Sequence, residues 1–271
     1  MAESSQRADT PLSRAIELAR GALGEAPAGL LTDFDGTISP IVNDPAAARL
    51  VAGADRALAA LAERLAVVAV ITGRTPLDAR RMTGVPAILI AGNHGMEWLE
   101  PGESEPTTAA GAADVADRLE EVLRRIPELP GVVPEHKGIS ASVHYRQAPD
   151  PEAARTSIVA ALRDVEDRGL RFNHGHMIVE VRPVGLGDKG SAARAVVERF
   201  GLRGVVVLGD DATDLDMFRA IDELRSAGRL HGAIIGVGGA AGEVLPALVE
   251  ACDVVLADPA EVAALLVALS R

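Results

Sequence analysis

Two aspartates stand two residues apart at the end of an apolar run near the start of the chain. They are Asp33 and Asp35, within the segment LLTDFDGTISPIV. Side chains two positions apart on an extended chain point to the same side, so both carboxylates can converge on one ligand. Gly36 allows a sharp turn directly after them. Burying carboxylates beside apolar side chains is costly unless a cation offsets the charge. Taken alone, the pattern could also be an acidic turn that caps a helix.

A second acidic segment, GDDATD, follows another apolar run and contains Asp210, Asp211 and Asp214. It lacks the glycine and the glutamate of an EF-hand loop, and a solvated loop capping the next helix is the alternative. Carboxylates brought together repel one another and are tolerated at neutral pH when a cation lies among them. Oxygen ligands without cysteine or histidine favour Mg²⁺, which keeps waters and a substrate phosphate around it. The two acidic segments therefore predict a Mg²⁺ site.

Two further segments have the chemistry to bind phosphate. Thr72 ends an apolar run in VITGR, and Gly73 after it exposes backbone N–H groups. Lys189, in GDKGSAAR, stands just before a predicted helix, where the ammonium group and the helix N-terminus both favour an anion. Singly, Thr72 could cap a helix and Lys189 could be an ordinary surface lysine. Combined with the acidic segments, they indicate phosphate chemistry.

Six apolar runs predict the strands that would position these residues. None alternates polar with apolar residues, which is typical of strands buried on both faces of a parallel sheet. The runs cover residues 29–32, 66–72, 87–91, 204–209, 233–237 and 253–256. Helical patterns lie between them, so the predicted fold class is α/β, with a doubly wound parallel sheet. The ligand site of such a sheet lies at the carboxyl ends of its strands, where the polar residues stand.

The middle of the chain has a different pattern. After a polar linker at residues 100–108 comes an amphipathic helix, and then two segments that alternate strictly, at 139–146 and 176–182, separated by a helix. Such alternation predicts antiparallel strands with one buried and one polar face. The predicted organisation is an N-terminal helix or partly disordered segment at 1–27, a core at 28–108 and 184–271, and an inserted α+β cap at 109–183.

Composition excludes several classes of partner. The net charge of −12 over 271 residues argues against nucleic acid and against an anionic membrane surface. The single cysteine, Cys252, excludes an intrachain disulfide and fits a reducing compartment. The polar start lacks a secretion signal, and no run reaches the ~18 to 20 apolar residues of a membrane-spanning helix. We therefore expect a cytoplasmic protein that acts on a small molecule.

The motifs DxDGT, TGR, a lysine and GDDxxD, in this order, resemble those of the haloacid dehalogenase superfamily of aspartyl-phosphate hydrolases. From about residue 28 onward the chain resembles the trehalose-6-phosphate phosphatase family, in the segments DFDGTISPIV, VITGR, AGNHGMEW, KGISASVHYRQAP, HMIVEVRP, GDKG and GDDATDLDMF. The resemblance implies Mg²⁺-dependent hydrolysis of trehalose 6-phosphate to trehalose and phosphate. The alternatives are another sugar phosphate or a catalytically inactive sugar-phosphate-binding regulator. A trehalose-phosphate synthase is a further candidate partner.

The resemblance also implies roles for individual residues. Asp33 would attack phosphorus, and Asp35 would give a proton to the leaving group and take one from water. The expected metal ligands are Asp33, Asp210 and the Asp35 carbonyl, and the expected phosphate ligands are Thr72, Gly73 and Lys189. The supporting residues are expected to be Thr37, Asp211 and Asp214, with the roles of the last two left open. The residues expected to contact the substrate are Asn93, His94, Glu135, Lys137, His144, Arg146 and Glu180. For His176 and Arg182, a solvated outer face of the cap is an equal alternative.

Overall fold

The computed structural model describes residues 10–108, 113–175, 177–185, 187–238 and 244–271. The strands in these segments are β1 (Ala28–Thr32), β2 (Val67–Ile71), β3 (Leu89–Gly92), β4 (Glu97–Leu99), β5 (Thr107–Thr108), β6 (Val133–His136), β7 (Ala141–His144), β8 (Leu170–Gly175), β9 (Ile178–Pro183), β10 (Gly204–Gly209), β11 (His231–Val237) and β12 (Val254–Leu256). The helices are α1 (Pro11–Leu23), α2 (Ala54–Ala62), α3 (Pro76–Thr83), α4 (Ala113–Leu123), α5 (Pro151–Ala161), α6 (Lys189–Arg199), α7 (Asp214–Ser226), α8 (Pro246–Ala251) and α9 (Pro259–Ser270).

The larger sheet has the strand order β12-β11-β10-β1-β2-β3-β4-β5. Its first six strands are parallel, which confirms the doubly wound α/β class. All residues of β1, β2, β3 and β10 are buried, which explains why their sequences do not alternate. The antiparallel strands β4 and β5 extend the sheet beyond β3, and the sequence pattern did not predict them.

Helices cover both faces of this sheet. Helices α1, α2 and α9 pack with α3 against one face through side chains such as Leu30, Val70 and Leu208. Helices α6, α7 and α8 cover the opposite face, where Leu31 and Val207 lie. Consecutive residues of β1 and β10 therefore enter different cores, and the polar residues that follow these strands emerge at their carboxyl ends. Helix α1 lies within residues 1–27, where the sequence predicted either a helix or a partly disordered segment.

The cap is an antiparallel sheet with the order β6-β7-β9-β8, formed by residues between β5 and α6. Helices α4 and α5 pack on one of its faces, against Ala141, Val143, Val179 and Val181. The predicted antiparallel character and buried face are therefore confirmed, whereas the boundaries at residues 108 and 184 stay a prediction. Within the described segments, every helix falls short of the length and apolarity needed to cross a bilayer.

Two details of the cap differ from the sequence pattern. Met177 was expected in a strand beside Val179, but β9 begins at Ile178 and Met177 lies before it with a φ of 61°. Its side chain is 37% exposed and does not join the cap core. The polar face of the cap sheet is also drier than a solvated face: Arg182 is 3% exposed and Ser142 is 1% exposed, so this face lies against the core. His176 lies outside the described residues.

Candidate active site

Neighbouring strands bring the acidic segments together at one edge of the sheet. Asp33 directly follows β1, Asp210 directly follows β10, and these two strands pair in parallel. Thr72 directly follows β2, on the other side of β1. The carboxyl ends of adjacent parallel strands meet at the same edge, so the three residues predicted to share a site lie side by side.

Three carboxylates form a tight cluster at this edge. Ligand atoms of Asp33, Asp210 and Asp214 all lie within 4.8 Å of one another. Burial raises the pKa of both Asp33 and Asp210 well above the usual range, and repulsion between neighbouring aspartates adds to the increase. Burial likewise raises the pKa of Asp214 to about 6, although Lys189 opposes the change. Such a cluster has the charge and the hard oxygen donors that suit a divalent cation.

Lys189 lies inside this cluster and is not a surface lysine. It is 2% exposed, and its Nζ donates to Asp33 Oδ1 at 2.8 Å and to Asp214 Oδ1 at 2.7 Å. Burial alone would lower its pKa, but Asp214 and Asp33 outweigh burial and raise the pKa well above the usual value. The ammonium group is therefore held charged, next to the carboxylate that was predicted to attack phosphorus.

The geometry separates Asp211 from Asp214. Asp214 is fully buried; one oxygen binds Lys189, and the other accepts the backbone N–H groups of Asp210 and Asp211 at 2.9 and 3.1 Å. Asp211 Oδ1 accepts from the hydroxyl and the backbone N–H of Thr213 at 2.7 and 2.8 Å, and it lies 4.0 Å from Lys189 Nζ. Asp214 thus orients the lysine, while Asp211 shapes the turn that leads into α7.

The turn after β1 supports Asp210 by a close approach. Thr37 Oγ1 donates to Asp210 Oδ1 at 2.8 Å, and Thr37 itself is fully buried. Gly36 has a φ of 81°, and a Cβ at this position would lie 2.0 Å from Asp210 Oδ2. Glycine is therefore required here for two reasons, the left-handed backbone and the space that the carboxylate occupies.

Arg74 holds Asp35 in a manner that the sequence did not indicate. Its Nε donates to Asp35 Oδ2 and its Nη2 donates to Asp35 Oδ1, both at 2.6 Å. The guanidinium group also lies 5.3 Å from the centroid of the Phe34 ring, within the range of a cation–π contact. Arg74 stood in the VITGR motif without an assigned role. The available signal was its place after β2, which pairs with β1, the strand that precedes Asp35.

A cavity of about 560 Å³ lies over this edge, between the core and the cap. Its volume is in the range that accommodates a small organic ligand. The predicted site residues that line it are Asp33, Asp35, Thr72, Gly73, His94, Glu135, Lys137, His144, Arg146, Glu180, Lys189, Asp210 and Asp211. Apolar side chains line it as well, and three of them are exposed in the protein: Ile41, Val133 and Met177.

Cap side chains reach this cavity and contact the core. Lys137 Nζ donates to the Gly73 carbonyl at 3.2 Å and lies 3.8 Å from Glu135 Oε2. The same Glu135 oxygen contacts His144 Nε2 at 2.9 Å, and this contact lowers the pKa of Glu135 against the opposing effect of burial. Arg146 donates to the Val42 carbonyl of the core. The cap therefore supplies both positively and negatively charged side chains to the cavity, and hydrogen bonds hold them in place.

His94 and Glu180 bridge the core and the cap. His94 Nε2 lies 3.0 Å from Glu180 Oε2, and both side chains lie over Gly73, where an added Cβ would be 2.8 Å from His94 Nε2 and 3.1 Å from Glu180 Oε1. Burial lowers the pKa of His94, and Glu180 offsets this effect only in part. Burial alone would raise the pKa of Glu180, but His94 and Lys137 outweigh it and lower the pKa well below the usual range.

Asn93 does not line the cavity, contrary to its expected contact with substrate. The residue is fully buried, and its side-chain amide bonds Ser140, Glu97 and the Lys137 carbonyl instead. The donors and the acceptor of its amide are already hydrogen-bonded to residues of the core and the cap, so they do not face a ligand in the cavity. Thr37 and Asp214 are likewise not among the residues that line the cavity, and their supporting roles stay a prediction.

A sequence model of the trehalose-phosphatase family matches residues 31–236 of this chain. The chain belongs to the trehalose-phosphatase family. The matched residues include Asp33, Thr72, Lys189 and Asp210, so the family pattern spans the whole cluster at the sheet edge. Membership of this family implies a divalent metal, and the carboxylate cluster described above fits one.

Two kinds of curated relative resemble this trehalose-phosphatase chain. A trehalose-phosphate phosphatase of Mycobacterium avium is 41% identical over 214 residues, which cover 75% of this chain and 53% of the relative. An uncharacterized glycosyl hydrolase of Mycobacterium tuberculosis is 41% identical over 219 residues, covering 76% of this chain and 16% of that protein. The chain thus spans about half the length of the first relative and a small part of the second.

A solved structure shows the same fold. The C-terminal domain of the Candida albicans trehalose-6-phosphate phosphatase aligns with a TM-score of 0.79 at 24% identity, covering 94% of this chain and 96% of that domain. Because 94% of this chain is covered, the shared fold includes both the core sheet and the cap sheet.

Proposed function

We propose that this protein is a phosphatase that hydrolyses trehalose 6-phosphate to trehalose and inorganic phosphate, with Mg²⁺ as its cofactor. The observation that carries the proposal is the position of Lys189, which is buried and bonded to Asp33 at the edge of the sheet, below a ligand-sized cavity. A lysine held between two aspartates can bind a phosphoryl oxygen when a substrate enters. Membership of the trehalose-phosphatase family supports the identity of the sugar.

The proposed chemistry proceeds in two displacements. In the first, an Asp33 carboxylate oxygen bonds to phosphorus while the bond from phosphorus to the sugar oxygen breaks. Asp35, with one oxygen released from Arg74 and protonated, gives its proton to that sugar oxygen. In the second, water bonds to phosphorus, Asp35 takes the proton from the water, and the bond from phosphorus to Asp33 breaks. Inorganic phosphate leaves, and both aspartates return to their starting protonation states.

Mg²⁺ would be held by the carboxylates of Asp33 and Asp210 and by the Asp35 carbonyl. When bound, the ion would offset the repulsion between the attacking carboxylate and the anionic phosphate. Asp214 is part of the same cluster, but both of its oxygens already accept hydrogen bonds, so we assign it to the orientation of Lys189. Thr72 and Gly73 would complete the phosphate site with a hydroxyl and a backbone N–H group.

Sugar recognition is assigned to the polar cap residues. A disaccharide offers many hydroxyl groups, and rigidly held polar side chains are needed to select it. Glu135, Lys137 and Glu180 line the cavity and are each held by a second residue, which suits them to this task. Closure of the cap would exclude water from the cavity during the reaction.

The test is phosphate release from trehalose 6-phosphate, sucrose 6-phosphate and glucose 6-phosphate, each with Mg²⁺ and with a chelator. We expect strong preference for the trehalose ester and loss of activity on chelation. Preference for another ester would keep the chemistry and overturn the substrate. No release from any ester, together with binding of a sugar phosphate, would favour the inactive regulator. A Glu180→Ala variant should raise KM for the disaccharide phosphate more than for a small phosphate ester.

A further inference from the structure

We propose that Asn93 is a positioning residue, which fixes the cap turn at residues 137–140 to the core and so keeps Lys137 beside Gly73 when the rest of the cap moves. The inference deepens the proposed function, because it rests on Lys137 as a sugar-binding residue. The role of Asn93 is to keep the cap turn in a fixed position relative to the phosphate-binding segment at Thr72 and Gly73. Asn93, Ile139 and Ser140, which attach the turn to the core, are not among the residues that line the cavity.

The first argument is the use that Asn93 makes of its amide. Its Oδ1 accepts from Ser140 Oγ at 2.5 Å, and its Nδ2 donates to the Lys137 carbonyl at 3.3 Å and to Glu97. Asn93 is fully buried, and Ser140 is 4% exposed. A buried amide whose donors and acceptor are all engaged specifies one geometry, because any shift leaves a polar group without a partner.

The second argument is that the turn is itself closed and clamped. The Lys137 N–H donates to the Ser140 carbonyl at 2.9 Å, which ties its two ends together. Ile139, between them, packs against Met96 of the core in a small buried cluster of its own. One side of the turn is thus held by hydrogen bonds to Asn93 and the other by an apolar contact, so the turn behaves as part of the core.

The third argument is the link from Asn93 to the phosphate-binding segment. Asn93 has a φ of 47°, and its backbone N–H donates to the Arg74 carbonyl at 2.8 Å. The next residue, His94, has a φ of 59° and donates its N–H to the Thr72 carbonyl at 2.8 Å. Two successive left-handed residues that are not glycine carry strain, and such strain is typical of functional sites. Asn93 therefore joins the 137–140 turn to the segment that binds phosphate.

The position of the turn within the cap completes the argument. The turn precedes β7, whose first residue, Ala141, pairs with Val181 near the end of β9. Strand β9 ends at Pro183, shortly before the chain enters α6 of the core. The turn thus lies at the end of the cap sheet near the connection to α6, so a rotation of the cap about that connection would displace it little. His144 lies at the opposite end of β7, and the same rotation would displace it more.

Hydrogen exchange tests the attachment of the turn without reference to any reaction. In the wild type without ligand, we expect amides of residues 137–140 to be protected. Asn93→Gly keeps a residue that tolerates the left-handed backbone but removes the amide, and it should speed exchange of this segment by about tenfold or more. Ser157→Ala, which removes a hydroxyl group from the cap helix α5, is the matched control and should leave the exchange rates of residues 137–140 unchanged. Unchanged exchange in Asn93→Gly overturns the proposal.

A double-mutant cycle on KM tests whether Asn93 acts through Lys137. We expect Asn93→Gly and Lys137→Met each to raise KM for trehalose 6-phosphate by about tenfold, the low end of a lost charged hydrogen bond. The double variant should also show about a tenfold increase, because the second change removes a contact that the first has already displaced. If KM of the double variant rises by the product of the two single increases, the positioning role is overturned. Ser140→Ala, a gentler change, repeats the cycle if Asn93→Gly does not fold.

The two experiments separate this inference from the proposed function. If the wild type releases no phosphate from the sugar esters, the proposed function fails, while the exchange experiment still decides the attachment of the turn. If the wild type is active and the cycle is multiplicative, the positioning role fails and the phosphatase assignment stands.

Discussion

Replacing Asp33 with asparagine is expected to stop turnover and yet to stabilise the metal-free protein. Asp33 is 4% exposed, and its carboxylate lies within 4.8 Å of those of Asp210 and Asp214. At an effective dielectric constant of about 20, each such pair of charges repels by about 3 to 4 kcal/mol. The Lys189 ammonium, 2.8 Å from Asp33 Oδ1, attracts by about 6 kcal/mol on the same scale, which offsets most of the repulsion.

The cost of burying the charge then decides whether Asp33→Asn raises or lowers the free energy of unfolding. Together the two repulsions exceed the attraction by about 1 kcal/mol. Burial is the largest influence on Asp33 and raises its pKa, so it adds to the cost of the ionised carboxylate. Asparagine keeps an oxygen that can accept from Lys189 and removes the charge. We therefore expect the free energy of unfolding to rise by about 1 to 2 kcal/mol, and the melting temperature by about 2 to 8 °C.

The assay is urea and thermal unfolding in the presence of a chelator near neutral pH. Asp211→Asn is the matched control, since the pKa of Asp211 is lowered: burial opposes its charge, but Lys189 and Thr213 outweigh burial. That variant should not gain stability. Mg²⁺ should stabilise the wild type more than Asp33→Asn, because binding to the folded state alone raises stability. A less stable Asp33→Asn protein would refute the electrostatic argument, and normal turnover would remove the nucleophile assignment.

Three further predictions concern the same edge of the sheet. Arg74→Lys should lower kcat by about tenfold or more in steady-state assays, because a lysine cannot bond both oxygens of Asp35; an unchanged kcat would contradict the role of this clamp. Gly36→Ala should weaken Mg²⁺ binding by about tenfold or more in calorimetry, since the added methyl group displaces Asp210 and strains the backbone. The raised pKa values of Asp210 and Asp214, the latter about 6, mean that the folded metal-free protein binds more protons than the unfolded chain. Its stability should therefore increase as the pH falls from neutral toward about 6, and a decrease over that interval would contradict the assignment.

The parallel strands were predictable because a strand buried on both faces has a sequence signature of its own. The runs before Asp33, Thr72 and Asp210 are continuous and apolar, and the fold requires that adjacent parallel strands end at one edge. The polar residues after them could therefore be grouped before any contact was known. Lys189 was grouped with them on a different ground, because a lysine beside a helix N-terminus favours an anion.

Strands β4, β5 and β6 lacked any such signature. Strand β6 contains Pro134 and is largely exposed at the edge of the cap sheet, so no apolar pattern marks it. Strands β4 and β5 are two or three residues long, too short for a period to appear. The contact between Arg74 and Asp35 also escaped prediction, because it depends on how two loops approach each other in space.

Gly73 shows why the polar residues of the cap could be named but not arranged. Its carbonyl accepts from Lys137, and a Cβ in its place would lie 2.8 Å from His94 Nε2 and 3.1 Å from Glu180 Oε1. A glycine is required here by the close approach of the cap, since every larger residue would push Glu180 away. The residue proposed to bind phosphate and the residues proposed to bind sugar are therefore in direct contact. A sugar hydroxyl that engages Lys137 or Glu180 must perturb contacts to the phosphate-binding segment, which couples the choice of sugar to the position of the phosphate.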